Sequence, residues 1–282
     1  MLMNRLSDRS HWDSVHIHQA SDRKTGLQGK KLQLLAKSIL GERCLRYYSD
    51  YLLWDVILPR HLPKQKGLKV LEVGSAPGDT LVRLKETFGY IPFGVEYSEP
   101  GVELNRRTFV EHDIDPSNVI QADFFSTDFH DRYRGYFDIV LSAGFIEHFT
   151  AVEDVVHRHI NILKKGGHLV VIIPNLRGIN YFLSYVFNSK ILAMCNIRIM
   201  RKGEFRRLFD AELLECKFCD YFGTFDFGVF NTPQGSPLRF LLGFCKMWQA
   251  IFNAAFPRLF RDKGAESSFF SPYLIFIGIK KK

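Results

Sequence analysis

The 282-residue sequence contains little cysteine and no cysteine framework. Of Cys44, Cys195, Cys216, Cys219 and Cys245, only Cys216 and Cys219 stand in C-x-x-C spacing, and they fall in an apolar, strand-like run. A zinc site of this kind needs a second ligand pair, and a redox motif belongs at a helix start, so reduced core cysteines are expected instead. No stretch of 18 residues is free of charge, which argues against a membrane-spanning helix. Arg5, Asp8, Arg9 and Asp13 interrupt any apolar region near the N-terminus, so no secretory signal is expected. Repeats and low-complexity segments are absent as well. The expected location is cytoplasmic, with any membrane contact peripheral.

Basic residues exceed acidic ones, 38 to 30, for a formal charge of +8. They are scattered, with only small clusters at Arg201-Lys202 and Lys280 to Lys282. That pattern describes a solvated basic surface rather than a nucleic-acid footprint. A hydrophobic fraction of 46% is ample for a sizeable core.

The most informative stretch is VLEVGSAPGDT, Val70 to Thr80. A short apolar run ends near an acid, Glu72, passes through a turn with Gly74 and Gly78, and leads into a helical pattern. Such a strand–turn–helix presents unpaired backbone N–H groups to a ligand. Neither a dinucleotide fingerprint nor a nucleoside-triphosphate loop has this spacing, since Ala76 and Pro77 break the G-x-G-x-x-G register and no G-K-[ST] follows. A second apolar run ends at Glu96, 24 residues after Glu72, near the interval at which an acid meets a ribose in doubly wound folds. A third, Val119 to Phe124, ends in Asp123 and Phe124, a carboxylate and a ring suited to an adenine amino group and its face. A fourth, Phe137 to Leu141, opens into Ser142-Ala143-Gly144.

The pieces LEVGSAPG, GVEYS, QADFF, FDIVLSAGFIEHF and LKKGGHLVVIIPN resemble class I S-adenosylmethionine-dependent methyltransferases over about residues 67–175. The resemblance implies an α/β, doubly wound, Rossmann-like sheet of seven strands, mostly parallel with an antiparallel last strand, plus a helical lid. It implies S-adenosyl-L-methionine as cofactor, with Glu72, Gly74, Ser75, Ala76, Gly78, Glu96, Tyr97, Asp123, Phe124 and Ser142 forming its site. Gly74 to Gly78 would hold the methionyl part, Glu96 and Tyr97 the ribose, and Asp123 and Phe124 the adenine. Ala76 replaces the usual middle glycine of the turn.

His148, in Phe145-Ile-Glu-His-Phe149, is the candidate general base, with Glu147 placed to orient it; a loop-fixing role is the competing reading. Related quinone-biosynthetic O-methyltransferases bind a divalent metal through an acid at the place of Gly144, so no catalytic metal is expected. His157 and His159 read as surface or packing residues.

Residues 1–66 read as an N-terminal helical cap, with an amphipathic helix from Leu45 to Pro59. Residues 67–282 read as the methyltransferase domain, with lid-forming insertions at about 176–203 and 224–271. The strands continue with His168–Ile173, Cys216–Phe222 and Tyr273–Ile279, and the helices with Ile179–Met194, Glu204–Asp210 and Leu238–Phe256. Arg239, Lys246, Gln249 and Asn253 share one face of the last helix, and Asn180, Ser184 and Asn188 form a thin polar stripe on the earlier one. Phe182, Tyr185, Phe187, Phe240, Phe244, Trp248, Ile251 and Phe252 are placed to line an acceptor pocket; core or lid packing, self-association and membrane contact remain open for the 238–256 helix. The expected activity is methyl transfer to an oxygen, less readily a nitrogen, of a small or lipid-linked metabolite. An RNA methyltransferase and a non-catalytic binding protein of the same fold are the alternatives; against RNA, no acid follows the fourth strand.

Overall fold

The computed structural model describes residues 5–25, 46–230, 232 and 235–281. Seven strands form one sheet in the order β3-β2-β1-β4-β5-β7-β6. They are β1 (Lys69–Val73), β2 (Ile91–Glu96), β3 (Val119–Gln121), β4 (Phe137–Ala143), β5 (Leu163–Pro174), β6 (Leu214–Phe222) and β7 (Tyr273–Lys280). The first five pair in parallel, and β7 runs antiparallel to both β5 and β6, as the resemblance implies.

The apolar runs are continuous because both sheet faces are covered. Strand alternation sends Val70, Ile139, Val170 and Ile275 to one core and Leu71, Val140, Leu169 and Phe276 to the other. The first core packs under the helical segment 48–61 and helix Asp79–Phe88; the second packs under helix Val152–Ile162. Ser98 caps helix Glu99–Glu111 by accepting from the Gly101 N–H, and Ser126 caps Thr127–Tyr133 by accepting from Phe129. At the opposite sheet end, Asp138 accepts from the Lys69 N–H at 2.9 Å and from Lys164 Nζ at 2.7 Å, tying β1, β4 and β5 together.

Several boundaries differ from the sequence expectation. The helix placed at 45–59 is described from 48 to 61, and Leu45 lies outside the described residues. Its middle, Leu52–Ile57, widens into a π-helix just before Pro59, which has no N–H to give the preceding turn. The Lys164-Lys-Gly-Gly167 turn is part of β5: pairing jumps from Phe137 with Leu163 to Ile139 with His168, so the extra residues bulge out of the ladder. The helix placed at 179–194 divides into Ile179–Asn188 and Lys190–Ala193.

The order 3-2-1-4-5 reverses between β1 and β4. Chains leaving those two strands diverge, and a crevice opens at their C-terminal ends.

Candidate functional site

A cavity of about 140 Å³ lies in that crevice. Gly74, Ala76, Glu96, Tyr97, Asp123, Phe124 and His148 line it, whereas Glu72, Ser75, Gly78 and Ser142 do not. The second group supports the first. Gly74 N–H donates to the Val95 carbonyl at 3.0 Å, pinning the turn to β2. Asn105 Nδ2 donates to Ser75 Oγ at 2.6 Å, holding the turn against helix Glu99–Glu111. Gly78 begins helix Asp79–Phe88 at φ +98°, and a Cβ there would lie 2.3 Å from Asn105 Oδ1. Ala76, at the place of the usual middle glycine, lines the cavity.

Glu96 is buried, and its Oε1 accepts from the Tyr97 and Ser98 N–H groups at 2.9 and 2.8 Å. Burial pushes its carboxyl up from the ordinary value, while the Ser98 N–H, His16 and the Tyr97 and Ala76 N–H groups pull it back. One oxygen is thus anchored to backbone at the mouth of the cavity. Glu72, at the end of β1, is driven by burial to about 8, against the pull of the Thr80 hydroxyl, so it is largely protonated at neutral pH. Its Oε2 and the buried Ser142 Oγ on neighbouring β4 have no hydrogen-bond partner among the described residues.

The third acid has company that the sequence did not reveal. Arg5 Nη2 donates to both Asp123 oxygens at 2.9 and 3.0 Å, and its guanidinium lies 4.9 Å from the Tyr97 ring and 5.3 Å from that of Phe125. The Phe124 ring is buried among Phe125, Phe129, His130, Phe145 and His159. Phe125 is therefore the ring that faces the guanidinium, a distinction that two adjacent phenylalanines conceal. Ser7, Trp12 and His16 from the N-terminal segment complete the wall. Their only sequence signal is an unusual density of aromatic and histidine side chains in a polar helix.

His148 Nδ1 lies 2.7 Å from the Met194 carbonyl oxygen, which can only accept, so Nδ1 carries the proton and Nε2 the lone pair. Trp12 meets the ring edge-on at 5.1 Å, and Glu147 Oε1 is 3.9 Å from Nε2. Burial lowers the imidazole below its ordinary value and lifts the Glu147 carboxyl to about 8. His159 packs in the core and is held near 4 by burial, while His157 is exposed.

A second cavity, about 320 Å³, shares Ala143 with the first. Tyr47, Leu53, Ile172, Phe222 and Tyr273 give it apolar walls, and Asp226 is its buried acid. Ser49 Oγ donates to Asp226 Oδ2 at 2.6 Å and the Gly228 N–H to Oδ1 at 2.7 Å. Asp226 escaped the sequence reading, although a lone acid between Phe225 and Phe227 was its visible mark.

The aromatics placed along an acceptor pocket are elsewhere. Phe182, Tyr185, Phe240, Phe244, Trp248 and Ile251 are exposed, and Phe187 packs with Phe230 and Leu242 in a small separate core. Of the two polar stripes, Asn180, Ser184, Gln249 and Asn253 turn inward and are buried, whereas Arg239 and Lys246 are exposed.

Residues 71–171 match the family model described as a methyltransferase domain. Among solved structures, the chain resembles a SAM-dependent methyltransferase from Thermotoga maritima, with TM-score 0.53 and 18% identity over 85% of this chain and 92% of that one. It also resembles geranyl diphosphate C-methyltransferase from Streptomyces coelicolor A3(2), solved with Mg2+, geranyl diphosphate and S-adenosyl-L-homocysteine, with TM-score 0.51 and 17% identity over 79% and 76% of the two chains. No curated protein sequence matches the chain. Residues 71–171 thus match a methyltransferase-domain model, and the chain has the fold that these S-adenosylmethionine-dependent methyltransferases share. No helix among the described residues is long and apolar enough to cross a membrane.

Proposed function

We propose that this protein transfers a methyl group from S-adenosylmethionine to an oxygen of a small or lipid-linked, apolar or aromatic acceptor. The observation that carries the reading is the meeting of the two cavities at Ala143, one walled by acids and rings and the other mainly apolar. The donor supplies an electrophilic methyl group when bound. Glu96, with one oxygen held by backbone, offers the other to the ribose hydroxyls. The backbone of Gly74 to Gly78 receives the methionyl end, supported from beneath by Glu72, Ser75 and Ser142, and Tyr97, Asp123 and Phe125 frame the adenine. His148 accepts the acceptor's hydroxyl proton at Nε2. Tyr47, Phe222 and Tyr273 exclude water around the acceptor. In this reading residues 1–66 cap the donor site, while 176–203 and 224–271 are insertions in the 67–282 domain.

Incubation of the protein with methyl-labelled donor and a whole-cell extract containing lipids, metabolites and RNA is expected to label an apolar hydroxyl compound, identified by mass spectrometry of the products. Label confined to RNA, or to amines, would overturn the acceptor assignment.

Arg5 occupies the slot proposed for the adenine. Exposed ion pairs contribute only about 0.2–1 kcal/mol, so displacing this one costs little. Arg5→Ala is expected to tighten donor binding by up to about fivefold in calorimetric titration. Weaker binding would instead make Arg5 part of the wall that holds the donor.

A further inference from the structure

Helix Leu238–Leu259 is inverted for a helix in water. Its inward face carries Leu242, Ala254 and Phe256, but between them the buried amides Gln249 and Asn253. Gln249 Oε1 accepts from the Phe227 N–H at 2.9 Å, and Nε2 donates to the Phe225 carbonyl at 3.3 Å and to Asn253 Oδ1 at 3.0 Å, so the amides satisfy the loop beneath. The outward stripe, at spacing i, i+4, i+7 and i+11, is Phe240, Phe244, Met247 and Ile251, with Phe240 86% exposed and Trp248 alongside. Helix Ile179–Asn188 repeats the inversion: Asn180 and Ser184 are buried, while Phe182 and Tyr185 are 59% and 65% exposed. Phe187 and Leu242, packed together with Phe230, join the two helices, so both outward faces belong to one unit.

The two segments that carry this unit are one-sided in sequence charge, with Arg198 and Lys202 paired to Glu204 and Asp220 outside them. Segments 176–203 and 224–271 hold ten basic and three acidic side chains, nearly all of the chain's formal +8. Lys190, Arg239 and Arg258 are exposed and form no ion pair with a carboxylate among the described residues. Two copies of so basic a face would repel each other. An anionic bilayer meets both demands: hydrocarbon for the phenylalanines, methionine and isoleucine, headgroup depth for Trp248 and Tyr185, and lipid phosphate or carboxylate for the cations.

We propose that the outward faces of these two helices are a docking surface for an anionic membrane, with helix Leu238–Leu259 lying in the lipid–water interface. Asp226 and Gly228, from the same insertion, wall the second cavity, so docking sets that cavity beside the bilayer. This inference goes beyond the proposed chemistry and does not depend on it.

Flotation of the full chain with phosphatidylcholine vesicles, with and without about one-third phosphatidylserine, tests it directly. Recovery is expected with the anionic vesicles and is weaker with the neutral ones. The doubly substituted Phe240→Ser, Phe244→Ser chain is expected to lose about tenfold or more in partitioning. Arg239→Ala is expected to lose about fivefold with anionic vesicles only. Both positions are exposed, and an unchanged circular dichroism spectrum and melting temperature show that the variants fold. Equal recovery of wild-type and serine-substituted chains, or no recovery at low salt, overturns the proposal. So does a dimeric or partner-bound mass that the serine substitutions abolish while vesicle binding is absent.

Discussion

His148→Ala is expected to lower turnover by about 10²–10⁴-fold while leaving donor affinity within about twofold. The tautomer underlies this expectation. Because the Met194 carbonyl can only accept, the Nδ1 proton is fixed, and the Nε2 lone pair of this cavity-lining ring is left to take a proton. Burial holds the imidazole below the ordinary 6.5; the Met194 hydrogen bond raises it in part and His11 lowers it further. The basic form exists above the group's pKa, so lowering that pKa extends activity toward acid. The acid limb of the turnover profile is therefore expected below pH 6.5. His148→Asn separates chemistry from scaffolding, since its amide can still donate toward Met194 but cannot serve as a base. If asparagine restores full turnover, the base assignment fails. If alanine lowers the melting temperature and donor affinity together, His148 serves to hold the 145–149 loop against the segment that contains Met194.

Glu96→Ala is expected to weaken binding of the donor, or of its demethylated product, by about 1–3 kcal/mol, or roughly 5–150-fold. The loss has two sources. The ribose would lose a charged acceptor, and the Tyr97 and Ser98 N–H groups now held by Oε1 would be left without it. Glu96→Gln keeps an oxygen for those N–H groups while removing the charge, so it is expected to fall between wild type and alanine. Calorimetric titration provides the measurement, with circular dichroism to establish folding. Unchanged affinity in a folded alanine variant would remove Glu96 from the donor site.

The sheet was legible in the sequence. Each strand from β1 to β4 is a short apolar run, and the acids or glycines at its end mark where the chain leaves it. These signals are local, so a window of about ten residues contains them. The donor turn was legible for the same reason, since Gly74 and Gly78 are positions where the left-handed backbone and close neighbours disfavour a side chain. Less legible was the division of labour within it. Ser75 and Gly78 serve Asn105, about 30 residues away, and do not line the cavity. Phe124 and Phe125 are indistinguishable by composition, and only the packing of Phe124 against five rings tells which one faces outward.

By itself the sequence determined the strand pattern, the glycine turn and the acids that end the strands, because periodicity and backbone geometry act over a few residues. The tertiary structure alone decided what surrounds them. It brought Arg5 to Asp123 across 118 residues and Ser49 to Asp226 across 177, contacts that no local pattern encodes. It also decided which way the two amphipathic helices face. A helical wheel separates polar from apolar residues but carries no label for inside and outside. Gln249 turned inward because the 225–227 loop needed its hydrogen bonds, and that left Phe240, Phe244 and Trp248 facing out.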